Sequence, residues 1–195
     1  FDFGAGDGVR GASIAAACNA SLVQGDISRN MLEACRNLGA AEAVWDLNLN
    51  YPDSEKFDTV IALWNVLGHV PNFKSRVEAL KRMRNLLDEN GQLILDLQNW
   101  HNSRYGKWRT RWRRFIDAVL PSYSRGDYYY NWQIDGKSMP AFGHLFTEKE
   151  IHHMLAEAGL KVRKLLYIDY DNGTIQSHVS RGMYYVEAID AGVNS

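Results

Sequence analysis

The residues best placed to do chemistry open the chain, in the run Phe1-Asp2-Phe3-Gly4-Ala5-Gly6-Asp7-Gly8. An acidic residue lies near the end of an apolar strand, and glycines follow at alternate positions. A turn so poor in side chains lets a ligand approach the backbone closely. A helix starting at about Val9 would aim its unpaired N–H groups into the same space. The run reads as the floor of a nucleotide-type cofactor site. Alone, a glycine-rich turn between a strand and a helix would look the same, so the weight falls on what recurs downstream.

Chemistry-bearing residues do recur, each just after an expected strand. Asp26 ends the second strand and Asp46 lies at the third. Trp64 and Asn65 follow the fourth, and Gln98, Asn99 and Trp100 follow the fifth. Five such placements in register fit an open α/β sheet, whose ligands lie in the crevice outside the carboxyl ends of the strands.

The elements that must position them alternate between strand and helix. Val9 to Asn19 and a Ser28-capped stretch to Leu38 read as helices, the second with Met31, Leu32 and Cys35 inward and Gly39 as its stop. Ser21–Gln24 and Ala43–Leu47 read as short strands, with a short helix after the latter. The near-continuous apolar run Phe57–Leu63 suits a strand buried on both faces. Phe73, Val77, Leu80 and Leu87 recur at helical spacing. Asn90-Gly91 ends that helix, and Gln92–Leu97 is another buried strand. Thr147 and Glu150 form a capping box for a last helix that stops at Gly159. Lys161–Ile168 and Met183–Ile189 then pair as a closing hairpin at one edge of the sheet. The expected fold class is α/β: a Rossmann-like, doubly wound, mostly parallel sheet of seven strands, with a C-terminal antiparallel hairpin and an inserted lid.

Residues 1–195 suit a single domain. The chain opens inside its first strand, so its N-terminus reads as truncated. A hydrophobic share of 46% and a charged share of 23% are ordinary globular values. A formal net charge of −1 gives no global pull toward nucleic acid or membrane. No apolar run is long enough to span a bilayer and nothing at the start reads as a signal peptide, so a cytoplasmic location with no membrane partner is expected. Cys18 and Cys35 read as buried, reduced thiols, with no metal site.

In this order the motifs resemble the class I S-adenosylmethionine-dependent methyltransferases. Asp2 to Gly8 looks like that family's glycine-rich motif, and Gly25-Asp26-Ile27-Ser28 with Met31-Leu32 looks like its second-strand signature. Phe57 to Asn65 resembles its fourth strand and following loop. Leu86-Leu87 to Gly91-Gln92-Leu93 resembles its turn into the fifth strand, and Phe146-Thr147-Glu148 through Gly159-Leu160 its last helix. The resemblance implies S-adenosyl-L-methionine as cofactor and S-adenosyl-L-homocysteine as product. Backbone groups of Gly4, Gly6 and Gly8, with Asp2 and Ala5, would hold the amino acid end. Asp26, acceptor-only when ionised, would take the ribose hydroxyls. Ile27 and Met31 would line the adenine side, Asp46 would accept from the adenine amino group, and Leu47 would lie alongside. Leu63, Trp64 and Asn65 would lie near the methionine end and the transferred methyl.

Methyl transfer from a sulfonium is an in-line displacement in which the protein mainly supplies proximity and orientation. His69 is the candidate base or acceptor contact. Asn99, Trp100, Tyr128 and His144 are further acceptor candidates. The stretch from about residue 100 to 144 breaks the strand–helix rhythm and reads as a lid over the strand ends. Within it, Trp108, Trp112, Phe115, Ile116, Val119 and Leu120 fall on one arc of a helix, with a basic outer face elsewhere. The expected acceptor is a small molecule methylated at N or O, and Asn99-Trp100 resembles the glycine/sarcosine-type N-methyltransferases. The alternative is tRNA of the wobble-uridine type, met by Arg104, Lys107, Arg109, Arg111, Arg113 and Arg114. Gly6-x-Gly8-x-x-Gly11 also matches a dinucleotide fingerprint, so an NAD or FAD oxidoreductase is a rival. A non-catalytic subunit that keeps the sheet is another.

Overall fold

A computed structural model describes residues 1–49, 55–120, 122–134 and 137–192. The short helix expected after the third strand falls in part on residues 50–54, outside the described residues. The chain runs β1 (Asp2–Phe3), α1 (Val9–Cys18), β2 (Val23–Asp26), α2 (Arg29–Leu38), β3 (Ala43–Asp46), β4 (Phe57–Ala62), α3 (Phe73–Leu86) and β5 (Leu87–Leu97). Then come α4 (Lys107–Val119), β6 (Asp127–Ile134), β7 (Lys137–His144), α5 (Glu148–Glu157), β8 (Leu160–Ile168), β9 (Ile175–Gln176) and β10 (Met183–Asp190).

The main sheet has eight strands rather than seven, in the order β3-β2-β1-β4-β5-β10-β8-β9. The extra strand is the two-residue β9, which pairs antiparallel with β8. β1 to β5 are parallel. The last long strand is not at the edge: β10 inserts between β5 and β8, antiparallel to both. β10 is buried on alternate residues, with Tyr184, Val186 and Ala188 inaccessible, which favours an interior position.

The chain moves outward from β1 through β2 to β3, then restarts at β4 on the other side of β1. Right-handed crossovers therefore put α1 and α2 on one face and α3 on the other. α5 packs beside α3. Val60, Leu93, Leu95 and Leu97 meet Leu80, Met83, Ile151 and Met154 in one core. The reversal between β1 and β4 is the topological switch point, where a crevice opens at the strand ends.

Local signals behave unevenly. Thr147 Oγ1 accepts from Glu150 N at 3.2 Å, so α5 is capped as its sequence predicts. α2 ends at Gly39 with φ +66°, but Ser28 does not cap it with its hydroxyl; Ser28 N instead donates to Asp26 Oδ1 at 2.8 Å. α3 ends at Leu86, and the backbone is already strand at Asn90-Gly91, because Leu87 pairs with Phe57 across a register shift. Cys18 is exposed rather than buried, while Cys35 is buried.

The insertion folds as α4 followed by a separate hairpin, β6–β7, paired from Asp127 with His144 to Ile134 with Lys137. The hairpin packs on the 3-10 turn Val66–His69 that follows β4.

Candidate functional site: the crevice at the strand ends

The glycine loop is held from below. Gly4, Gly6 and Gly8 have φ of +78°, +60° and +82°, the left-handed region that disfavours side chains. The sequence leads one to expect the loop's amides to face a ligand, but they turn inward. Gly4 N and Ala5 N donate to Gly25 O, Gly6 N to Asp26 Oδ2 at 2.9 Å, and Gly8 N to Ala5 O. The carbonyls of Gly6 and Gly8 are likewise engaged, by the Cys35 thiol and by Gln24 Nε2. What the loop offers outward is clearance: a Cβ on Gly6 would meet nothing within 4 Å.

Asp2 lies beneath this loop and is buried. Burial pushes its carboxyl up to about 6, and hydrogen bonding from Gln24 opposes the rise. Gly11 makes the burial possible, since a Cβ there would lie 2.2 Å from Asp2 Oδ2 and 3.0 Å from Gln24 Nε2. Gly11→Ala is expected to force α1 away from the loop, costing about 1–3 kcal/mol as overpacking does. Urea denaturation checks the stability, and calorimetry with S-adenosylhomocysteine checks the loop.

At the end of β2, both Asp26 oxygens accept backbone amides, from Gly6 and Ser28. A carboxylate has about four lone-pair sites, so acceptor capacity remains. Next to it, Ile27 is exposed, and Met31 faces outward on α2 while Leu32 and Cys35 turn in. Asp46 Oδ1 accepts from Asn48 N and Nδ2, whose amide also donates to Ile27 O at 3.0 Å. These bonds hold the Asp46 carboxyl below its ordinary value. Leu47 does not flank this edge. It is buried in the core beneath Gly25, close enough that a Cβ there would lie 2.9 Å from Leu47 Cδ2.

Beyond β4, Leu63 is half-buried, and Trp64 and Asn65 both take positive φ, 68° and 59°. Trp64 is exposed, with the Arg10 guanidinium 4.1 Å from its ring centroid. It borders a cavity of about 800 Å³ instead of packing inside the crevice. Asn65 braces the turn: its N donates to Asp96 Oδ1, its Oδ1 accepts from Gln98 N, and its Nδ2 donates to His144 O. The cavity is bounded by Trp64, Gln98, Arg104, Asp169, Tyr170 and Met183, among others. Burial, and to a lesser degree Asp96, raises the Tyr170 hydroxyl, so it stays a protonated donor at neutral pH.

Most acceptor candidates fall elsewhere. Asn99 is buried, its Nδ2 bonded to Val179 O and Gly182 O and its Oδ1 to His101 N. Trp100 donates from Nε1 to Asp117 Oδ2 and lies 3.7 Å under the Arg113 guanidinium, supporting α4. His144 is fully buried between Asp127 and Glu150. His69 stands off the cavity, its Nδ1 on Phe142 O at 3.0 Å and its ring against Trp132. Tyr128 reaches the cavity wall, donating to Gln98 Oε1 at 3.1 Å.

Sequence reasoning missed Gln24, Asp96, Tyr170 and the Arg76–Asp127–His144–Glu150 cluster. Asp96 and Gln98 flank the end of β5 and were legible by position. Nothing local marks Tyr170 or Arg76, which arrive from distant elements. Among the described residues no group of His, Cys, Asp and Glu could hold a metal, and no helix is long and apolar enough to cross a membrane.

An α/β sheet with a glycine loop at its switch point, acids ending β2 and β3, and a cavity beyond β4 and β5 is the arrangement in which open α/β sheets receive ligands at their strand ends. Residues 1–93 match a family model described as a methyltransferase domain. No curated protein matches the sequence. Among solved structures, the CcbJ methyltransferase from Streptomyces caelestis is 15% identical, with a TM-score of 0.70 over 98% of this chain and 82% of that one. An S-adenosylmethionine-dependent methyltransferase from Bacteroides fragilis, in complex with S-adenosyl-L-homocysteine, is 17% identical, with a TM-score of 0.68 over 97% and 71%. The glycopeptide N-methyltransferase MtfA, complexed with S-adenosylmethionine, is 14% identical, with a TM-score of 0.65 over 98% and 80%. At these identities the structural likeness establishes the fold. Residues 1–93 thus match a methyltransferase domain, and the whole chain shares the fold of solved S-adenosylmethionine-dependent methyltransferases.

Proposed function

We infer that this protein transfers a methyl group from S-adenosylmethionine to an N or O atom of a small-molecule acceptor. The observation that carries the reading is the polar cavity of about 800 Å³ adjoining the ends of β4 and β5, lined by Trp64 and Gln98. The open space over Gly6 and the residual acceptor capacity of Asp26 fit the cofactor's amino acid end and ribose. The methyltransferase-domain match over residues 1–93 supports this cofactor, as do neighbours of the same fold complexed with S-adenosylmethionine or S-adenosyl-L-homocysteine. When bound, the cofactor supplies an activated methyl on a positively charged sulfur.

The chain's own part is to bind, orient and tune charge. Asp26 holds the ribose edge while fixing the loop through Gly6 N. Ile27 and Asp46 border the adenine side. Tyr170 and Gln98 offer a donor and an amide to the acceptor, and Arg104 with Asp171, 3.6 Å apart, gives the rim both charges. A mixed polar lining of this size suits a small polar molecule. Effective molarity from orientation supplies most of what a displacement with a good leaving group needs.

Asp2 makes cofactor affinity depend on pH. Its folded value of about 6 lies above the ordinary 3.8, so the folded state binds more protons between these values. Stability therefore falls as pH rises through that window. The cofactor's positive amino group, bound at the loop, would favour the ionised form, so affinity is expected to increase as pH climbs through about 6. Asp2→Asn is expected to flatten that profile and weaken binding at neutral pH, while raising stability by on the order of 2–3 kcal/mol. Calorimetry across pH 5–8, with melts of both proteins, reads each effect.

The test of the whole reading is a labelled-methyl transfer assay against a metabolite panel and bulk tRNA. Label in a small molecule, lost in Gln98→Ala and Tyr170→Phe with S-adenosylhomocysteine binding retained, is the expected result. Label confined to tRNA would overturn the acceptor class.

A further inference from the structure

Helix α4 is mounted inside out. Its sequence leads one to expect an apolar arc turned toward the protein and a basic face toward solvent. Instead Trp108, Trp112, Phe115 and Val119 lie between 62% and 76% exposed. They stand at positions i, i+4, i+7 and i+11, a single stripe. The helix is fastened through its polar back. Asp117 accepts from Trp100 Nε1 at 2.8 Å, contacts His101 Nε2 at 2.9 Å and pairs with Arg125. Thr110 is buried, with its hydroxyl on Asn102 O and Gly106 O.

The charges are placed to match. At 100° per residue, Arg109 falls on one side of the stripe and Lys107, Arg111 and Arg114 on the other. Arg111 lies along the stripe, its guanidinium 5.6 Å from the Trp108 ring centroid. Asp117, the helix's one acid, faces inward onto Trp100 and His101. An apolar strip with aromatic residues, flanked by cations and free of outward acids, is the pattern of a helix lying in a membrane interface. The near-neutral charge of the whole chain conceals this local concentration.

We propose that α4 docks the protein on an anionic lipid surface, with the stripe among the acyl chains and the flanking cations at the headgroups. Charge complementarity selects this occupant. A second copy would bring the same cations against these ones. A nucleic acid would engage the cations but leave Phe115 and Val119 in water.

The test is co-sedimentation of the full chain with vesicles of phosphatidylglycerol and phosphatidylcholine, against pure phosphatidylcholine. Binding to the anionic vesicles alone, weakening with salt, is expected. Trp112→Glu with Phe115→Glu should abolish it. Arg111→Gln with Arg114→Gln should weaken it about fivefold per charge removed. All four side chains are on the exposed side of the helix, and thermal melts with S-adenosylhomocysteine binding confirm folding. Failure of the folded protein to bind anionic vesicles would overturn the proposal. So would equal binding by Trp112→Glu with Phe115→Glu, or a dimer in sedimentation velocity that this pair dissociates in the absence of vesicles. None of these outcomes depends on methyl transfer.

Discussion

Replacing Arg76 by Met is expected to lower stability by about 3–5 kcal/mol, the cost of breaking a buried ion pair from one side. Arg76 is fully buried; its Nη1 lies 3.3 Å from Glu150 Oε1, its Nη2 lies 3.0 Å from Asp127 Oδ1, and its Nε donates to Val70 O. His144 closes the ring, with Nδ1 2.6 Å from Asp127 Oδ1 and Nε2 3.0 Å from Glu150 Oε2. Arg76 is the guanidinium partner of both carboxylates. Without it, both lose that partner in a site with little water. For a chain of this size the loss corresponds to a fall in Tm of roughly 10 °C or more. Arg76→Lys keeps the charge but loses the planar fork, so it should fall between the two. Scanning calorimetry measures both, and a loss under about 1 kcal/mol would refute the account. The cluster ties α3, α5 and the β6–β7 hairpin together, and Asn65 reaches it through His144 O. The same variant should therefore also loosen the turn after β4, which a rise in amide exchange at residues 65–69 would record.

Asp26→Ala is expected to weaken S-adenosylhomocysteine binding by about a hundredfold or more. Hydrogen bonds to charged groups contribute about 1.5–3 kcal/mol each, and a tenfold change is about 1.4 kcal/mol. The carboxylate acts twice, as the proposed ribose acceptor and as the partner of Gly6 N and Ser28 N. Asp26→Asn retains one acceptor and should lose less. Isothermal calorimetry gives the affinities, and a melt of the free proteins separates loop damage from ligand loss. Near-wild-type affinity in Asp26→Ala would remove this residue from the site.

Much of the frame was legible because it rests on local signals. The glycines, the strand-end acids, the apolar runs and the Thr147 cap each depend on neighbours a few residues away, so the sequence carries them directly. The same locality hides which side chains are already bonded within the fold. Asn65, Asn99 and His144 have the types and positions of functional residues, but the Asn65 and Asn99 amides donate to carbonyls 79 to 83 residues distant, and the His144 ring lies between Asp127 and Glu150. Buried polar groups must be bonded, and which of them are buried is decided by packing. Leu47 was placed beside a ligand from its strand, yet it turns into the core because Gly25 leaves room for it.

The lid helix marks the division most clearly. The sequence alone determined that α4 is amphipathic, since periodicity is a property of the chain. Which side faces the protein depended on Asp117 finding Trp100, His101 and Arg125, and only the tertiary structure decided that. The opening glycines divide in the same way. Their spacing by itself determined a turn with no side chains in the way. The fold determined that the loop's amides are satisfied by Gly25 and Asp26, because β2 runs beside β1 and brings those acceptors beneath them.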